Sequence, residues 1–101
     1  MTRKSSPAPS PFEIVWSPLA LARLREIRAY ISLDNPTAAE RLATRIIALV
    51  EALKLQPHLG HPARETNLRE LVIGGTPYVI FYRLRSRQVL ITTIHHSSQQ
   101  R

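Results

Sequence analysis

Apolar positions repeat along this chain with two different periods, and the changes of period mark its elements. Phe12, Ile14 and Trp16 alternate with Glu13 and Val15, the two-residue period of a short strand. Ser17 and Pro18 follow: a hydroxyl suited to cap a helix, then proline where the backbone N–H is not needed. Ala20, Leu24, Ile27 and Ile31 then recur at helical spacing, with Arg23, Arg25 and Arg28 off the stripe. This helix is expected to end near Leu33. Asp34-Asn35-Pro36 starts a second one, with Asn35 as its cap. Its stripe is Ala39, Leu42, Ile46, Leu49, Val50 and Leu53, its wet face holds Arg41, Thr44, Arg45 and Glu51, and Pro57 is its expected stop. The two helices make an αα-hairpin.

Residues 57–67 read as a loop. Three strands follow: Leu68 to Ile73, Tyr78 to Leu84, and Val89 to His96. Gly74-Gly75-Thr76 and Arg85-Ser86-Arg87 separate them, and turns this short imply antiparallel hairpins. The order β-α-α-β-β-β predicts an α+β fold, a helical hairpin packed on one face of a small, mainly antiparallel sheet. The last two strands are apolar in both alternating sets. Tyr78, Ile80 and Tyr82 stand against Val79 and Phe81; Val89 and Ile91 stand against Leu90 and Ile94. Strands of that kind belong to sheets covered on both sides, and one helical hairpin covers one side. The other face is therefore expected to expose an apolar groove that a partner protein covers.

The 101 residues suffice for one domain, expected over 12–101 behind a flexible Pro- and Ser-rich leader at 1–11. The leader lacks the apolar stretch of a secretory signal, so a cytoplasmic protein is expected. Apolar runs such as Tyr78 to Tyr82 are too short to span a bilayer, so no membrane partner is expected. The absence of cysteine excludes disulfide scaffolds, zinc ribbons and cysteine nucleophiles. The net charge is +7, and every basic residue except Lys4 and Lys54 is arginine. Residues 52–101 hold seven basic and two acidic side chains, against seven and five in residues 1–51. An arginine-rich half implies a polyanionic partner, nucleic acid or an acidic protein segment, because the guanidinium fork bonds phosphate and carboxylate in pairs.

Several segments, taken together in this order, resemble the RelE/ParE toxins of type II toxin–antitoxin systems, nearest the ParE branch. They are Ile14-Val15-Trp16-Ser17-Pro18, Ile27-Arg28-Ala29-Tyr30-Ile31, Asp34-Asn35-Pro36, Leu68-Arg69-Glu70-Leu71, Pro77 to Arg83, and His96 after the last strand. The resemblance implies the β-α-α-β-β-β fold, no cofactor, and a cognate antitoxin that wraps and neutralises the toxin in a hetero-oligomer. It implies one of two targets. ParE-like members poison DNA gyrase, with growth inhibition and plasmid stabilisation as the outcome. RelE-like members cleave mRNA on the ribosome as metal-independent endoribonucleases. A degenerate toxin that keeps only antitoxin binding is a third reading. Nuclease members tend to carry lysines near the end of the second helix and a basic or aromatic tail. Here that region offers Lys54, and Ser97 to Arg101 contains no aromatic, which puts gyrase first.

RNA cleavage needs a base, a leaving-group acid and cations for the phosphate. The catalytic candidates for a nuclease are His96, Arg83 and Arg64, with His96 matching the family histidine at the end of the last strand. The candidates for binding antitoxin or target are Arg64, Arg69, Arg83, Arg85, Arg87 and Phe81. Arg69 also reads as a sheet anchor bonded to a carboxylate or carbonyl. Arg83 shares a strand face with Val79 and Phe81 and calls for a partner there, while Tyr82 on the opposite face reads as core. No metal site is expected: His58 and His61 lack a ligand pattern, and neighbours such as His95 and His96 point to opposite faces.

Overall fold

The computed structural model describes residues 11–65 and 67–97. Most of the expected leader and the tail beyond Ser97 lie outside the described residues. The elements are β1 (Glu13–Trp16), α1 (Pro18–Ser32), α2 (Pro36–Ala52), β2 (His61–Pro62), β3 (Leu68–Val72), β4 (Tyr78–Arg85) and β5 (Gln88–His96). The strands form one sheet in the order β1-β5-β4-β3-β2. β1 runs parallel to β5, and the other pairs are antiparallel.

Local chemistry sets both helix starts. The Ser17 hydroxyl accepts from the Ala20 N–H at 2.9 Å and donates to the Thr92 carbonyl at 2.8 Å, so one side chain caps α1 and ties it to β5. Asn35 Oδ1 accepts from the Ala38 N–H at 3.0 Å and caps α2. The end of α2 differs from expectation. The helix closes at Ala52 with Leu53 as C-cap, five residues before Pro57. Leu53 is fully buried, and the next carbonyl, Lys54 O, accepts from the Phe12 N–H at 2.9 Å. Docking against the start of β1 therefore ends this helix before proline can.

The core lies between the sheet and the helices. Ile46, Val50 and Leu53 of α2 meet Leu71, Ile73, Ile80, Tyr82, Val89, Ile91 and Ile94, with Ala20 of α1. The expected placing of Ile94 opposite Ile91 is corrected by the pairing register. Phe81 faces Thr93 but Tyr82 faces Ile91, which leaves Thr92 as an extra residue in β5. This bulge resets the alternation, so Val89, Ile91 and Ile94 all point into the core. A second correction concerns residues 57–67, which contain the two-residue strand β2 along the edge of β3.

The face away from the helices is mixed: Val15, Leu90, Phe81, Val79 and Val72 stand among Arg83, Glu70, Thr93 and His95, which corrects the expectation of a continuous apolar groove. Its own side chains partly close it. Val79 is 6% exposed, His95 packs edge-on against Phe81 at 5.2 Å, and Val72 on β3 remains 54% exposed.

Candidate functional site

The expected binding residues gather where β3 begins and β4 ends, and a pinned loop shapes that region. Tyr82 is completely buried. Its hydroxyl accepts from the Gly60 N–H at 2.8 Å and donates to the Pro57 carbonyl at 2.8 Å. Arg69 Nε donates to the Gly60 carbonyl at 3.1 Å, so both backbone groups of Gly60 are held. A Cβ on Gly60 would lie 2.8 Å from the Tyr82 ring and 2.9 Å from the Glu70 carbonyl oxygen, which leaves room for glycine alone. His61 and Pro62 then pair with Glu70 and Arg69. The loop is thereby fixed against the sheet edge.

Beyond the loop a groove of about 440 Å³ opens, lined among others by His58, Arg64, Glu65, Leu68, Arg69 and Leu84. Its floor is partly apolar and its two arginines make it cationic. Arg83 joins its rim through Glu65, Nη2 to Oε1 at 2.8 Å. This ion pair is largely exposed, so solvent screens it and an incoming anion can displace Glu65 at small cost. Arg85 closes β4 opposite Gln88, and Ser86 takes the left-handed turn position at φ 53°. The Arg87 guanidinium stacks 4.5 Å from the centroid of the Phe12 ring.

His96 stands elsewhere. It pairs across the sheet with Tyr78, on the face that carries the helices, and the two rings meet edge-on at 5.2 Å. Burial pushes the Tyr78 phenol above its ordinary value of 10.0, and the neighbouring Tyr30 pushes it further. Arg83 lies five residues further along β4 and on the opposite face. At about 3.4 Å per residue, His96 and Arg83 are separated by about 17 Å along the strands. The structure thus brings Arg64, Arg69 and Arg83 to one end of the sheet, with Arg85 and Arg87 beside them. Phe81 stands on the outer face between Glu70 and Thr93 with its ring against His95, and His96 is not part of the group. Among the described residues no three His, Cys, Asp or Glu side chains gather in a metal-binding arrangement.

The Gly60–Tyr82 latch had no signal in the sequence beyond a lone glycine between Leu59 and His61 in a loop. The Phe12–Arg87 stack had none either, because the parallel β1–β5 pairing that creates it joins the two ends of the domain.

A family profile described as ParE toxin of type II toxin-antitoxin system, parDE, matches residues 14–101. The chain belongs to this family. It is a toxin of the ParE/RelE kind from a type II toxin–antitoxin system. Y4kP of Sinorhizobium fredii, itself named as a candidate toxin, is 48% identical over 87 residues, covering 86% of this chain and 90% of that protein. Toxin RelE2 of Caulobacter vibrioides is 40% identical over 87 residues, covering 86% of this chain and 97% of its own. The fold is shared with the chromosomal ParDE system of P. aeruginosa, at a TM-score of 0.74 and 23% identity over 84% of this chain and 95% of that one. The RelBE2 toxin–antitoxin complex of Mycobacterium tuberculosis shares it too, at 0.65 and 18% over 85% and 98%. The profile begins within β1 and runs through every later element, so the match covers the whole fold. No helix among the described residues is long and apolar enough to cross a membrane.

Proposed function

We propose that this toxin arrests growth in the cytoplasm by inhibiting DNA gyrase, and that a cognate antitoxin neutralises it. The observation that carries this reading over RNA cleavage is the separation of His96 from Arg83 and Arg64. A base or acid must stand within about 3 Å of the proton it moves, and phosphate cations must reach the same phosphodiester. Groups about 17 Å apart on opposite faces of a sheet do not meet one phosphodiester. His96 is engaged with Tyr78, and Arg83 is paired with Glu65. An inhibitor that works by binding needs no such constellation, and the arginine-rich end and the mixed apolar and polar outer face suit that role. The antitoxin is read as an amphipathic segment whose apolar side chains lie on Val72, Phe81 and Leu90 and whose carboxylates meet the arginines. Mixed contacts of this kind weaken in salt without dissolving.

The test is purified toxin added to DNA gyrase and relaxed plasmid. Loss of supercoiling that the antitoxin reverses is the expected result, and His96→Ala is expected to change it less than twofold. Undiminished supercoiling at excess toxin, together with ribosome-dependent mRNA cleavage that His96→Ala lowers 10²-fold or more, would replace this reading with the nuclease one.

A further inference from the structure

Two strands and three connecting segments bring basic residues to the same end of the sheet. Lys54 sits beside Phe12 just ahead of β1, Arg87 precedes β5, Arg85 closes β4, Arg69 is the second residue of β3, and Arg64 follows β2. Strands stand about 4.8 Å apart, so this row is roughly 19 Å long. Its charge is only partly compensated. Glu51 pairs with Lys54, and Glu65 is drawn to Arg83. Arg69 is held through Nε by a neutral carbonyl. Arg64 and Arg85 are exposed and make no ion pair among the described residues.

We propose that this row is a binding site for the phosphodiester backbone of duplex DNA. Duplex DNA presents one negative charge per roughly 1.7 Å of axis, so a row of this length can meet several phosphates at once. Arginine suits the task because its fork bonds phosphate oxygens in pairs. Single-stranded nucleic acid is the poorer fit. Such ligands are held by bases stacked on open aromatic faces. Here the Phe12 ring carries Arg87, and Phe81, further in, is packed against His95. The surface reads no sequence: it offers cations to a backbone and no element to a groove. The inference goes beyond gyrase inhibition, adding a contact to the DNA on which that enzyme works.

The experiment is fluorescence anisotropy of a labelled 20-base-pair duplex with the full-length toxin, gyrase absent, from 50 to 200 mM salt. Four phosphate contacts predict a slope of log K against log salt of about −3.6, a loss of about 10²-fold over that range. The double variant Arg64→Gln/Arg85→Gln is expected to halve the slope, because neither side chain supports the fold. Three results would each overturn the proposal: no duplex binding at 50 mM salt, a double variant that binds like the parent, or polyglutamate binding with the same affinity and salt slope. A single-stranded RNA of equal length bound tenfold tighter than the duplex would also reject it. Because gyrase is absent, this result and the supercoiling result can fail separately.

Discussion

Tyr82 is the residue on which the shape of the arginine-rich end depends. Its hydroxyl is buried and spans two backbone groups of the loop, so removing it leaves the Gly60 N–H and the Pro57 carbonyl short of a partner. Tyr82→Phe is expected to cost about 1–3 kcal/mol, the penalty of stranding buried polar groups, with a lowered midpoint of thermal unfolding as the measurement. A midpoint equal to the parent's would mean the loop is held by β2 pairing and Arg69 alone. Tyr78 makes a different prediction. Its phenol is raised above the ordinary 10.0, so folding favours its neutral form. The stability this contributes is whole below pH 10 and lost as the pH rises through the higher folded value. Denaturant unfolding between pH 9 and 11.5 should therefore show a falling limb that Tyr78→Phe flattens.

Thr92 shows how a single inserted residue organises an element. Paired regularly with Thr92 in place, β5 could not direct Val89, Ile91 and Ile94 to the same side; the bulge absorbs the extra residue and lets the Thr92 carbonyl meet the Ser17 cap of α1. Deleting Thr92 restores a regular alternation, so Val89, Ile91 and Ile94 keep facing the core, and what is lost is the hydrogen bond from the Ser17 hydroxyl. The deletion variant is expected to unfold cooperatively with stability lowered by about 0.5–1.5 kcal/mol, read as a lower thermal midpoint by circular dichroism. Loss of cooperative unfolding would show that the bulge itself is needed for the sheet. The helices were readable from sequence because their 3.6-residue stripes and their caps, Ser17-Pro18 and Asn35-Pro36, are local. The bulge was not, because register belongs to two strands together. β2 was hidden for a related reason: two residues, one of them Pro62, have no alternation to detect. The end of α2 was misplaced at Pro57 because Leu53 and Lys54 answer to the core and to Phe12, which are distant in sequence.

Across the whole molecule, the arginine-rich half was visible in the sequence but its arrangement was not, and the outer face expected to be apolar is interrupted by Glu70, Thr93, Arg83 and His95. Counting charges found the arginines of residues 52–101. Only the sheet order places Arg64, Arg69, Arg85 and Arg87 at one end and His96 far from Arg83, and the proposed binding role rests on that separation. Induction of the toxin alone in cells, with DNA and protein synthesis followed by pulse labelling side by side, distinguishes the two targets in one time course. Gyrase inhibition predicts that DNA synthesis collapses first while translation continues. An early collapse of translation with DNA synthesis intact would contradict it and return His96, Arg64 and Arg83 to a catalytic role.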